Sequence, residues 1–133
     1  MAFVLDASVA VGWVVGRQAT AYGRGIRLRA RREPYHAPAL WRLEVVNAVR
    51  FLERRRAMPP DAAEVAVDIL ERMQPVFHED AMSFADSLKL ARKFDLSVYD
   101  ANYLALALGL RLPIACSDGP LRSVLARAGV KRA

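Results

Sequence analysis

The chain reads as an α/β protein with a short, mostly parallel central sheet of four to five strands and helices on both faces, a three-layer α/β/α arrangement. Three observations predict it. Short apolar runs of strand length recur at Phe3–Leu5, Tyr35–Ala37, Val76–His78 and Leu112–Cys116. Between them lie longer stretches with helical spacing of apolar residues, the crossovers that parallel strands require. Finally, 54% of the 133 residues are apolar, enough for one core that covers a sheet on both sides.

The elements follow in order. Phe3-Val4-Leu5 stops on Asp6 and passes into Ala7 to Val15, a helix apolar almost all round, as one packed between layers is; Gly16 ends it. Ala19 to Arg32 is a second helical stretch, weakened by Gly23 and Gly25, each costing on the order of 1 kcal/mol against alanine. Tyr35-His36-Ala37, between Pro34 and Pro38, is a short second strand. Ala39 to Arg56 is the clearest helix, with Pro38 suited to its start and basic residues at its carboxyl end. Pro59-Pro60-Asp61 opens a fourth helix through Arg72, on which Asp61, Glu64, Asp68 and Glu71 form a solvated face. Val76-Phe77-His78 is a third strand, and Ser83 caps a fifth helix reaching Phe94, with Asp86 placed near a capping box. After the turn Asp95-Leu96-Ser97, a helix runs to Leu108 with Gly109 as its stop. Leu112 to Cys116 is the fourth strand, Ser117-Asp118-Gly119-Pro120 a turn, Leu121 to Ala128 the last helix, and Val130 a final short strand.

Composition narrows the function classes. One domain spanning 1–133 is expected, with no linker, repeat or low-complexity tract. No apolar run approaches the roughly 18 residues of a membrane span, and no basic leader precedes the first strand, so a cytoplasmic protein without a membrane partner is expected. A single cysteine, Cys116, excludes an internal disulfide and a cysteine zinc cluster. His36 and His78 stand apart in sequence, without a second ligand at metal spacing, and are assigned packing or surface roles. The net charge of +6, carried mainly by arginine, suits a polyanion partner; the same arginines also fit plainly solvated helix faces.

The acids carry the chemistry. Asp6 ends the first strand and begins a helix, which fits either an N-cap or a place at the carboxyl edge of a parallel sheet, where ligands gather. On the helix from Ala39, a wheel puts Leu40, Glu44, Asn47, Ala48 and Phe51 on one face expected to be buried. A buried Glu44 needs either an ion pair, for which Arg42, Arg50 and Arg54 are near, or a cation. Asp100, near a helix start, shares an inward face with Tyr103, Leu104 and Ala107. Asp118 repeats the position of Asp6 after a strand, although Asp-Gly is also a routine turn pair. Four carboxylates gathered at one sheet edge repel one another, and a hard cation with oxygen ligands, Mg²⁺ or Mn²⁺, relieves that repulsion. On a basic protein such a site suggests metal-assisted chemistry on a phosphodiester.

At these residues a family becomes visible. Val4-Leu5-Asp6-Ala7-Ser8, Glu44 with Asn47, Val98-Tyr99-Asp100-Ala101 followed by Tyr103-Leu104-Ala105-Leu106-Ala107, and Ser117-Asp118 together resemble the PIN-domain ribonucleases, most of all the VapC-type toxins of toxin-antitoxin pairs. The resemblance covers essentially the whole chain. It implies a PIN-like fold and a Mg²⁺- or Mn²⁺-dependent endoribonuclease with an RNA substrate, a cognate antitoxin and a homodimer. By that likeness Asp6, Glu44, Asp100 and Asp118 form the acidic quartet, Asp6 and Asp100 bind the metal directly, and Ser8 and Asn47 orient the carboxylates. Two positions depart from the family's pattern: Cys116 stands where many members have threonine, and Arg122 where some carry a further acid. The rival reading is a non-catalytic RNA- or partner-binding module of the same fold. A phosphoaspartate site fits less well, because Ser8 stands where a dehalogenase-type phosphatase needs its second aspartate.

Overall fold

The computed structural model describes residues 1–80 and 82–133. Its strands β1 (Phe3–Leu5), β2 (Tyr35–Pro38), β3 (Val76–His78) and β4 (Ile114–Ala115) form one sheet in the order β3-β2-β1-β4, every neighbouring pair parallel. The helices are α1 (Ala7–Val14), α2 (Ala21–Ala30), α3 (Trp41–Arg54), α4 (Pro60–Arg72), α5 (Phe84–Phe94), α6 (Val98–Leu110) and α7 (Pro120–Ala128). The four apolar runs are the four strands, and the α/β class read from them holds.

Phe3, Val4 and Leu5 are each fully buried. Successive side chains on a strand point to opposite faces, so β1 is covered on both. On one side α6 lies against β1, β2 and β4, flanked by α5 and α7; α1 packs with α2, α3 and α4 to make the other layer. Tyr103, Leu104 and Ala107 of α6 and Val9, Ala10 and Val11 of α1 enter the same core as the strands. Aligned parallel strands carry their carboxyl ends, and the helix starts that follow, to one edge of the sheet.

Several boundaries differ from the sequence reading. α1 stops at Val14 and a 3-10 turn at Gly16–Gln18 intervenes, so α2 begins only at Ala21, where the Thr20 hydroxyl caps it by accepting from the Gly23 amide at 2.9 Å. Pro38 closes β2, in register with His78, instead of opening α3. α6 passes through Gly109 to Leu110 because Arg111 adopts the left-handed conformation (φ 57°), and the Leu112 amide reaches back to the Ala107 carbonyl at 3.0 Å. That closure turns Leu112 onto the core, so the glycine is not needed as a stop. The last pairing forms at Arg132, bridged to Ile114, and not at Val130.

The expected face of α3 is also rotated. Its buried residues are Trp41, Val45 and Val49, spaced four apart against α1 and α4, whereas Asn47 is exposed and Phe51 is 54% exposed. Two apolar neighbours pull the helix toward the stripe with the most burying area, and Glu44 is left at the stripe's border, half-buried. His36 and His78, distant in sequence, meet because β2 and β3 pair: His36 Nδ1 lies 2.9 Å from His78 Nε2. Burial, with the second imidazole beside it, holds His36 below the usual histidine range.

Candidate active site

Asp6 follows the last residue of β1, and its amide still donates to the Ala115 carbonyl of β4 at 2.9 Å. It is also the N-cap of α1: its Oδ2 accepts from the Ser8 amide at 3.3 Å and from the Ser8 hydroxyl. The cap and the sheet-edge position, alternatives in the sequence, coincide. Ser8 Oγ in turn accepts from the Ser117 amide at 3.3 Å, tying the start of α1 to the loop after β4. Asp100 sits in the first turn of α6, its amide donating to the Ser97 cap at 3.1 Å, which leaves the carboxylate free to face the sheet edge. Glu44 reaches the same region from the first turn of α3, and its Oε1 accepts a 2.6 Å hydrogen bond from the fully buried Tyr103 hydroxyl.

These three acids feel one another. Burial raises Asp6 above the usual carboxylate range; the Ser8 hydrogen bond opposes this and the Asp100 charge adds to it. Burial raises Glu44 too, against the Tyr103 hydrogen bond, and the charges of Asp6 and Asp100 push further in the same direction. Asp100 is raised by burial. Tyr103 is driven far up by its burial and by the Asp6 and Glu44 charges, so it remains a hydroxyl donor at every ordinary pH. Among the described residues no lysine, arginine or histidine forms a salt bridge with Asp6, Glu44 or Asp100. Of the arginines near Glu44, Arg50 pairs with Glu53 and Arg42 lies over the Phe77 ring.

Asp118 does not join them. It is 80% exposed, forms a salt bridge with Arg122 one helical turn on, and has Arg132 at 3.8 Å. Analogy of position after a strand puts it with Asp6, but an arginine one helical turn on, in α7, pairs with it. Asn47 lies on the solvent side of α3, one turn beyond Glu44. Tyr103, which shares the inward face of α6 with Asp100, is the site residue that the sequence reading gives no role; its signal is its place three residues after Asp100 on that face.

The donor set suits a hard cation bound openly. Among the described residues no three His, Cys, Asp or Glu side chains form a ready-made cage. Mg²⁺ and Mn²⁺ do not need one: one or two carboxylates and several waters suffice, and uncompensated, partly desolvated acids are the charge such an ion neutralises. Asp6 and Asp100 could hold it, with Glu44 acting through water.

A parallel-sheet protein with partly buried acids near the end of β1 that feel one another's charge is thereby defined, and comparison with known proteins gives its family. The PIN domain profile matches residues 3–124. Ribonuclease VapC12 of Mycobacterium tuberculosis, in each of two strains, is 34% identical over 119 residues, which is 89% of this chain and 88% of the relative. The crystal structure of PAE2754 from Pyrobaculum aerophilum superposes with a TM-score of 0.63 over 97% of this chain and 90% of that one, at 18% identity, a likeness of fold. The chain belongs to the PIN-domain family, among its VapC-type ribonucleases.

Proposed function

We propose that the chain is a metal-dependent endoribonuclease, the toxin of a toxin-antitoxin pair, acting as a single PIN-like domain over 1–133 and hydrolysing RNA phosphodiesters at the sheet edge. The observation that carries this reading is an uncompensated set of acids: three carboxyl groups, all raised by burial, with no cationic side chain bridged to any of them among the described residues. Such a cluster is costly to keep for structure alone. The ribonuclease relatives supply the substrate class and, through the VapC name, the antitoxin partner. A homodimer and a cytoplasmic location belong to the same reading and rest on the family resemblance.

When bound, Mg²⁺ or Mn²⁺ would supply a water of lowered pKa and neutralise charge at the scissile phosphate. Asp6 and Asp100 are the residues that would hold it. Ser8, bonded both to Asp6 and to the loop after β4, fixes the plane of the Asp6 carboxylate. Tyr103 holds Glu44 Oε1, leaving Oε2 to accept a proton from water at the reacting phosphate.

The test is incubation of the purified chain, free of any partner, with structured RNAs in Mg²⁺ or Mn²⁺. Cleavage that disappears with chelator and in Asp6→Asn is expected. Cleavage surviving both controls would refute the carboxylate site. No cleavage of any RNA, together with no Mn²⁺ uptake by calorimetry, would favour the non-catalytic binding module.

A further inference from the structure

The three acids account for one side of Ser8 and leave the other side unexplained. Two cavities open there, of about 190 and 430 Å³, and Ser8, Gln18, Thr20 and Ser117 line both. They are therefore one continuous trough running past Ser8, whose hydroxyl is bonded to Asp6. Arg24 and Arg27 of α2 line one end, and Arg122 and Arg132 the other; Asp118 is the one acid among the lining residues.

The trough is built into the fold. A Cβ at position 12 would lie 2.9 Å from the Gln18 carbonyl oxygen, so the turn forming the trough's wall closes on α1 only because residue 12 is glycine. The far arginines are held in place. Arg132 donates from Nε and Nη2 to the Cys116 carbonyl at 3.1 and 2.8 Å, and its guanidinium lies 3.6 Å from the centroid of the Tyr22 ring. Arg122 is tethered by Asp118. Guanidiniums fixed beforehand lose little freedom on meeting a phosphate.

From this geometry we infer that the trough is the track of the substrate. It binds a single-stranded polynucleotide with backbone phosphates on Arg24 and Arg27 at one end and on Arg122 and Arg132 at the other, carrying the strand past Asp6. Asp118 is then a positioning residue for Arg122, and not a carboxylate of the reacting site. A single strand fits because a flexible backbone follows a concave, basic surface. A rigid, convex duplex does not enter such a trough. The inference deepens the nuclease reading and rests on it for the direction of the strand.

The experiment measures binding of a short fluorescent single-stranded RNA, and of a duplex of equal length, to Asp6→Asn protein in chelator, where neither cleavage nor metal contributes. Into that background go Arg24→Ala with Arg27→Ala, Arg122→Ala, and as a control Arg54→Ala with Arg55→Ala, exposed residues at the carboxyl end of α3. Each trough arginine removed should weaken single-strand binding at least threefold and reduce the slope of log K against log salt by about 0.7. The control pair should change neither, and the duplex should bind more weakly than the single strand. Trough variants that bind like the background protein, a control that loses as much, or a duplex bound as tightly would each overturn the inference. In cleavage-competent protein, Asp118→Asn should raise KM with kcat retained; a kcat loss matching Asp6→Asn would return Asp118 to the reacting site. Arginine-dependent binding without cleavage by the native chain would sink the nuclease reading alone, and Asp6-dependent cleavage indifferent to the trough arginines would sink this inference alone.

Discussion

Asp6 and Asp118 occupy the same place in the chain's grammar, each following a strand and preceding a helix, yet they end in opposite electrostatic states. Asp6 is enclosed, bonded to Ser8 and raised by burial and by the charge of Asp100. Asp118 is 80% exposed and paired with Arg122, with a second arginine beyond. The difference lies in what surrounds the strand. β1 is interior to the sheet, between β2 and β4, and α6 packs on it, so Asp6 lies within reach of the Asp100 charge; β4 is an edge strand, and the acid after it is exposed and meets Arg122 and Arg132. The same place after a strand gives a buried, unpaired acid in one surrounding and an ordinary ion pair in the other.

The sharpest way to break this comparison is to neutralise each aspartate. Asp6→Asn or Asp100→Asn is expected to lower the RNA cleavage rate by at least about a hundredfold, the scale of a lost metal ligand or proton acceptor. Asp118→Asn measured in the same assay should leave the rate constant within about threefold, since an exposed ion pair contributes little. Equal losses in the two would erase the distinction drawn here.

The next effect comes from the support of the pocket. Tyr103→Phe removes the hydrogen bond that holds Glu44 while keeping the ring in the core, and cleavage is expected to fall by about ten- to a hundredfold, as when an orienting partner of a metal site is lost. Thermal melting should show a folded protein, which separates this loss from unfolding. An unchanged rate would mean that Glu44 does not need its orientation fixed.

The smallest effect is on stability and has a definite sign. Asp6 is raised in the fold, so its ionised form opposes folding at neutral pH, and that opposition fades as pH falls through the raised value toward 3.8. Metal-free Asp6→Asn should therefore be more stable than the native chain at pH 7, by roughly 0.5 to 2 kcal/mol. Denaturant titrations should show this advantage shrinking as pH falls and disappearing near pH 3.8. Mn²⁺ should narrow the gap at pH 7 by binding the native chain and not the variant. An Asp6→Asn protein less stable at pH 7 would show that the Ser8 cap outweighs the desolvation.

Much of this molecule was legible beforehand. The strand runs, the alternation with helices and the solvated acids of α4 follow from local pattern, because strand and helix periods are properties of short segments. The inward direction of Asp100 follows for the same reason: helical spacing sets the acid among Tyr103, Leu104 and Ala107, buried residues of α6. α3 was harder. Its apolar residues gather on a stripe through Trp41, Val45 and Val49, and the adjoining face holding Leu40, Asn47 and Phe51 competes with it only while Leu40 and Phe51 are counted as core.

The sequence by itself determined the α/β class, the family motifs and the three acids that the fold gathers, since each of these is written in neighbouring residues. Tertiary structure alone decided that Glu44 meets Tyr103 across 59 positions and that His36 touches His78 across 42. It also decided that Gly12 lets a turn close into a trough beside Ser8. The reason is physical: charge, burial and shape at a site are sums over groups brought together by chain reversal, and no segment carries that sum alone.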